Sequence, residues 1–386
     1  MLDLLPSLDK TTTLVSQRSL ARSRRSSYQK ISGQSEKQSE EWEDFPFGQP
    51  DYNPFVEWGE HYYSIFSRDL WASESTFVLQ DLNGDQVTER RISGSDSVEQ
   101  ILQEDDPDIR IFYCDSKLCD DLVTRASFAV ADLKKIFCRY NFSIVFLDRF
   151  IGRNRCTTGS RKLYDTVDPS RLIGYDLWYD LPCRIYGAEH EYQWHFILFT
   201  VYVHYDVVNN KAVLFYIHRL GSEHPSAAEW SSRKLKDRVR TSLEHAATSS
   251  AHLNALRNCP FLIQLPTITS ATIFWTETLH KERLSMWKKE EEGTKDLSTV
   301  DTSKLHDILR YVHSYMANLQ IVLETLNFVK AEHEWYLQNL DNTNHYRESP
   351  WSSTMRDGIE AQVFQIKVII IWTTEVLKRT RILIDL

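Results

Sequence analysis

Tyr192-Gln193-Trp194-His195-Phe196-Ile197-Leu198-Phe199-Thr200-Val201-Tyr202-Val203-His204-Tyr205 is the stretch on which the fold turns. Side chains along a strand alternate between two faces, so Tyr192, Trp194, Phe196, Leu198, Thr200 and Tyr202 share one side. Ile197, Phe199, Val201, Val203 and Tyr205 share the other. Both sides are apolar, which predicts a long central strand covered on both faces. Asn209-Asn210 follows as a turn into Lys211–His218, where Val213, Phe215 and Ile217 alternate with Ala212, Leu214 and Tyr216. That pattern predicts an antiparallel partner strand, within a β region running from Gly174 to His218.

Toward the N-terminus, Phe77–Leu82 followed by Asn83-Gly84 reads as a strand entering a two-residue hairpin turn, because Asn-Gly tolerates positive φ. Asp81-Leu82-Asn83-Gly84-Asp85 has its glycine too early for a calcium loop and lacks the closing glutamate, so it is a turn. Arg110–Cys114 is a second strand. Leu122–Tyr140 spaces Leu122, Ala126, Ala129, Val130, Leu133, Ile136 and Phe137 as an amphipathic helix.

Toward the C-terminus, the polar stretch Ser222–Ser250 precedes a return of helical character. Leu305, Leu309, Val312, Met316, Leu319, Leu323 and Leu326 follow the alternating four-three spacing of a coiled-coil seam. A helix over Thr302–Leu340 would be roughly 55–60 Å long. Asp341–Asp357, which contains Pro350, should break it. Ile359, Val363, Ile366, Ile370, Thr373, Leu377, Thr380 and Ile384 then form a second seam. The two helices either zip to each other or form a stalk that also meets other subunits.

The predicted class is α+β (α/β): a mixed, largely antiparallel sheet covered by helices, followed by two long stalk-like C-terminal helices. The expected divisions are a disordered tail over 1–50, an α/β domain over 51–295 and a helical hairpin or stalk over 296–386. The tail is rich in Ser, Thr, Gln and charge, with the basic cluster Arg22–Ser27 ahead of the acidic Glu40–Asp44. The basic cluster is a candidate kinase site or targeting signal, and a solvated tail is the commoner meaning of such a run.

Composition narrows the function. In 386 residues, 42% are apolar, enough for a substantial core, while 11 Trp, 18 Tyr and 18 Phe set against 12 Gly and 11 Pro favour long regular elements. A net charge of −9 offers no global attraction to nucleic acid or an anionic membrane. Cys114, Cys119, Cys138, Cys156, Cys183 and Cys259 form no CxxC pair and read as reduced, mostly buried thiols of a cytoplasmic chain. Purely apolar runs such as Val368–Trp372 are far too short to span a bilayer.

Candidate chemistry is sparse. His190, His195 and His204 with Cys183 suggest a metal site, but 195 and 204 face opposite sides of a strand and lie about 30 Å apart. His333-Glu334 belongs to no HExxH, and no nucleophile elbow, P-loop or dinucleotide fingerprint occurs. Cys183 or Cys259 with a distant His is a pairing any chain of this length offers. The sequence gives an enzyme no foothold: it names no catalytic or cofactor residue and leaves metal ligands unassigned. The acidic runs Glu104-Asp105-Asp106-Asp108 and Glu290-Glu291-Glu292 are candidates for weak Mg²⁺ binding, against the commoner meaning of solvated charge.

Several fragments, in order, resemble the CorA-like transporter domain found in many fungal proteins, over most of residues 125–386. Ile144–Gly152 is similar to that family's FLD segment, and Gly174-Tyr175-Asp176-Leu177-Trp178-Tyr179 to its aromatic GYE strand. Tyr192–Asp206 and Ala212–His218 are similar to its following strand pair. Phe274-Trp275 to Trp287 sits where the family has a tryptophan-bearing helix. Ile371–Leu386 resembles its final run, with Arg379, Thr380, Ile384 and Leu386 in place. The Gly-Met-Asn pore signature is absent, and Trp194-His195-Phe196-Ile197-Leu198 replaces the family's Trp-Ser-x-Arg-Gln.

The resemblance implies a Mg²⁺-transport-related cytosolic sensing and assembly module without its own pore. It would be a homo-oligomer through Leu305–Leu326 and Ile359–Ile384, meeting a membrane only through a missing or partner transmembrane segment. The alternative is a soluble monomeric scaffold derived from this domain, with no transport role. Residues 1–120 match no pattern that assigns them a role.

Overall fold

The computed structural model describes residues 66, 71–119, 123–147, 158–186, 194–220, 225–259, 261–295, 302–339 and 350–385. The expected tail over 1–50, with Arg22–Ser27, lies outside them, as do Asp148–Gly152, Cys156 and His190.

The first antiparallel piece of the sheet is β1 (Thr76–Asn83), β2 (Gln86–Ser93) and β3 (Ile109–Cys119), with α1 (Ser95–Gln103) between β2 and β3. Asn83 pairs with Gln86, so the turn occupies Gly84-Asp85, one residue later than the sequence suggested, and Gly84 takes the positive φ of 61°. The second piece is a meander of β5 (Thr158–Tyr164), β6 (Leu172–Tyr186), β7 (Trp194–Asp206) and β8 (Lys211–Leu220). β3 and β8 join the two pieces in parallel, giving the order β2-β1-β3-β8-β7-β6-β5, with short β4 (Val123–Arg125) on β3.

The helix expected over Leu122–Tyr140 is shorter. Val123-Thr124-Arg125 pairs with β3, as β-branched residues favour, and Ala129 stays extended with its N–H on Ser75 Oγ. Helix α2 therefore begins at Val130 and ends at Arg139.

Both faces of the sheet are buried, as the alternation in β7 predicts. On one side, Phe112, Cys114, Trp178, Tyr202, Phe215 and Ile217 pack with Val98 and Ile101 of α1 and Leu133, Ile136 and Phe137 of α2. On the other, Ile111, Leu177, Phe199, Val201, Val203 and Leu214 meet the C-terminal helices. These helices are α3 (Pro225–Ala247), α4 (Ser250–Asn258), α5 (Leu265–Lys295), α6 (Thr302–Asn339) and α7 (Pro350–Asp385). The polar stretch after β8 conceals α3, whose buried Leu235, Val239, Leu243 and Ala246 are spread among charged residues.

Helices α5 and α6 rest on β6, and α7 packs on both. β5 accompanies β6 only to Tyr179. Beyond that point the Asp180, Pro182 and Arg184 carbonyls accept hydrogen bonds from Thr325 of α6 and from Trp275 and Thr278 of α5. Side chains of α5 and α6 thus satisfy these carbonyls of β6, and among the described residues no strand pairs with that edge, where Pro182 brings no N–H of its own.

The two seams are wider than a coiled coil's. In α6 the deeply buried line is Leu305, Ile308, Val312, Tyr315, Leu319, Val322, Leu326 and Val329, while Leu309, Met316 and Leu323 are half-buried. In α7, Met355, Ile359, Ile366, Ile369, Thr373, Val376 and Thr380 are buried, while Val363, Ile370 and Leu377 are half-buried. Every second position of each expected seam is deep, and Ile308, Tyr315 and Val322 in α6 and Ile369 and Val376 in α7, each one residue before an alternate position, are deep in its place. Such a three-per-heptad stripe belongs to a helix packed against several neighbours within one chain. Pro350 does not lie in a break: it occupies the first position of α7, where its missing N–H costs nothing, and its carbonyl accepts from Ser353 and Thr354.

Adjacent isoleucines test this register. Ile369→Ala should cost about 2–5 kcal/mol in urea unfolding and Ile370→Ala clearly less; a strict seam through Ile366 and Ile370 requires the reverse order.

Candidate functional site

The acidic run before β3 is an arginine-bound corner. Arg90 grips Glu104 with both terminal nitrogens at 2.7 and 2.8 Å and reaches Asp81 at 3.0 Å. Arg110, almost fully buried, holds Asp81 at 3.0 and 3.1 Å, Tyr140 Oη at 2.9 Å and the Ile101 carbonyl at 3.3 Å. Burial works against the Arg110 charge, yet the bonds to Asp81 and Tyr140 outweigh it and raise its pKa. Asp106 accepts from Arg139 at 2.8 Å, and Asp108 from Arg257 at 2.6 Å and from the Gly84 N–H at 2.9 Å. The carboxylates of Glu104, Asp106 and Asp108 are therefore engaged by cations of the chain itself. Among the described residues, no group of three or more His, Cys, Asp or Glu is arranged to hold a metal ion.

His204 stands in a three-strand row. Arg161 on β5, Asp176 on β6 and His204 on β7 are successive cross-strand partners. The fully buried Asp176 accepts from Arg161 Nε at 2.5 Å and lies 2.6 Å from His204 Nδ1. Cys183 is buried in the opposite-face cluster, with its thiol on the Leu181 carbonyl, so it does not meet His204. The His195 side chain lies outside the described residues. His333 is buried against Phe261, and burial depresses its pKa to about 4. Cys114, Cys183 and Cys259 are buried free thiols, and Cys138 is a half-buried one.

On the helical side, a groove of about 230 Å³ runs between α5 and α7. Arg379 bridges Glu290 at 3.2 Å and Glu375 at 3.0 Å, and the Arg283 guanidinium covers the Trp372 ring at 4.8 Å. Glu290, the first residue of the second acidic run, is thus paired as well. Trp287 and Leu284 beside the groove are exposed, as are Phe364, Ile371 and Ile382 along α7. The sequence marked the acidic runs and His204 but not their partners. Asp108 and Arg257 stand 149 positions apart, a separation that no spacing rule reaches.

No protein-family model and no curated protein sequence matches the chain. Similar solved structures are the soluble domain of CorA from Methanocaldococcus jannaschii, the complete CorA magnesium transporter from the same organism, and the full-length CmaX protein. The first is 10% identical with a TM-score of 0.42, covering 80% of this chain and 95% of its own. The second is 10% identical with a TM-score of 0.43, covering 80% and 75%. The third is 13% identical with a TM-score of 0.40, covering 81% and 79%. No helix among the described residues is long and apolar enough to cross a membrane.

Removing Arg110 leaves Asp81 buried without its main cation, so Arg110→Met should cost roughly 3–5 kcal/mol by chemical denaturation. The hydrogen bonds from Arg90, then its charge, lower the Glu104 pKa despite some burial. Stability from that pair is complete above the ordinary carboxylate range and is lost as the pH falls through the depressed value. Thermal melts between pH 6 and 3 should show the loss, and Glu104→Gln should reduce its slope.

Proposed function

We propose that the chain is a CorA-like domain of the type whose fragments its sequence resembles, acting as a sensing and assembly module of divalent-cation transport rather than as a pore. The ordered fragments from Ile144 to Leu386 motivate the reading, and the arrangement of α5, α6 and α7 on one sheet face is in keeping with it. The observation that carries the assembly role is on α7. Its buried stripe is used within the chain, yet Phe364, Ile371 and Ile382 remain 67%, 65% and 58% exposed on its outer side. Large apolar side chains aligned along one helix favour a protein contact over water.

This replaces the inner seam with the outer stripe as the assembly surface. Leu305, Leu319, Leu326, Ile359 and Ile366 are already covered by their own chain. Assembly would use the opposite side of α7 and leave the three-helix layer intact. Cation sensing, on this reading, acts between subunits, since Glu104, Asp106, Asp108 and Glu290 of one chain are engaged by its own arginines.

Light scattering on the purified chain, with and without millimolar Mg²⁺, tests the proposal. An oligomer that responds to Mg²⁺, and that Ile371→Glu reduces to the monomer mass, is the expected result. A monomer under both conditions overturns it and leaves the soluble scaffold.

A further inference from the structure

Glu282 of α5 is 5% exposed and lies where α5 and α6 meet over the stretch of β6 beyond Tyr179. It is one helical turn beyond Thr278, whose hydroxyl donates to the Arg184 carbonyl at 2.8 Å. Tyr315 of α6 donates its hydroxyl to Glu282 Oε1 at 3.1 Å, and its ring stands edge-on to Trp275 at 5.7 Å. Among the described residues no lysine, arginine or histidine pairs with the Glu282 carboxylate.

The charges nearby are committed elsewhere. The Arg184 guanidinium lies over the rings of Phe196 and Tyr315 at 5.3 and 5.8 Å. From α6, Tyr311 adds a second phenol that acts on Arg184. α7 presents Arg379 to Glu290 and Glu375, and Arg381 to His313 at 3.4 Å. On α5 itself, His280, Lys281 and Arg283 are on the exposed side. A carboxylate in this position would be a buried charge with one phenolic donor, whereas a carboxylic acid is a neutral group.

We propose that Glu282 and Tyr315 form a proton-controlled clasp that holds α5 to α6 over the stretch of β6 beyond Tyr179, closed when Glu282 is protonated and loosened when it is ionised. Because α7 packs on both helices, the clasp also sets how firmly α7 and its outer stripe are held. The inference rests on the cluster's geometry and stands independently of any role in cation transport.

Burial, opposed by the Tyr315 hydrogen bond, raises the Glu282 pKa to about 7, which places the switch near neutrality. The folded state then binds the proton more tightly than the opened state does. Protection is therefore full at pH values below the ordinary carboxylate range, falls as pH rises toward 7, and levels off above it.

Hydrogen exchange on the full chain, corrected for intrinsic rates, reads the clasp directly. Between pH 6 and pH 8, opening of α5 around Glu282 and of α6 around Tyr315 should rise about tenfold. Glu282→Gln should abolish that rise, and Tyr315→Phe, which removes the donor favouring the carboxylate, should move it to higher pH. Wild-type protection that is constant over this range, or an unchanged rise in Glu282→Gln, overturns the proposal. If Glu282→Gln does not fold, an unshifted rise in Tyr315→Phe overturns it equally.

Discussion

The parallel contact between β3 and β8 is the constraint on which the rest of the structure depends. It fuses a three-strand piece from the first part of the chain to a four-strand meander from the middle, making one sheet with two buried faces. The register sets Phe112 against Phe215 and Tyr113 against Tyr216, with ring centroids 4.7 and 5.3 Å apart on opposite faces. The chain pins this contact where it starts. The Ala212 N–H donates to the Asp108 carbonyl at 2.9 Å, and Lys211 reaches the Asp106 carbonyl. The acidic corner that resembles an ion site in sequence is therefore part of the seam's foundation.

A sheet buried on both sides has to satisfy its edges without water, and β6 shows how this is done. Past the end of β5, helices α5 and α6 bring Trp275, Thr278 and Thr325 onto its carbonyls. This fixes the helices laterally as well as by apolar contact, since each bond has a direction that hydrophobic packing lacks. Tyr175 and Lys162, both bonded to Glu332 at 2.6 and 2.8 Å, do the same nearer the other end of α6. α7 has no such anchors on the sheet. It lies on the two helices through a broad stripe, and Phe364, Ile371 and Ile382 stay exposed on its outer side.

Charge follows the same economy. Asp81, Arg110, Asp176 and Asp180 are buried, and Asp81, Asp176 and Asp180 accept from Arg110, from Arg161 and from Thr200, respectively. Glu282, on the helical side, is a buried carboxyl whose partner is a phenol, as the Asp180 partner Thr200 is a hydroxyl. On ionising, a carboxyl so placed gains one phenolic hydrogen bond and no cation, unlike Asp81 and Asp176, which face arginines.

The sequence by itself determined the period of each element. Alternation in Phe196–Tyr205 revealed a strand buried on both faces, and the four-three spacing of Leu305–Leu326 and Ile359–Ile384 revealed two long helices, because local geometry repeats at fixed intervals. It missed α3, where Leu235, Val239, Leu243 and Ala246 are hidden among charges, and it placed the start of α7 after Pro350 when proline begins that helix. Of the polar sites, the acidic run and His204 were legible as residue types. Their partners were not, since Arg257, Asp176 and Arg161 come from other strands and helices. Only the tertiary structure decided that β3 and β8 run parallel, that the seams pack within their own chain, and that Glu282 is buried opposite Tyr315. These are long-range pairings, and a local sequence period carries no information about which distant surface an element will meet.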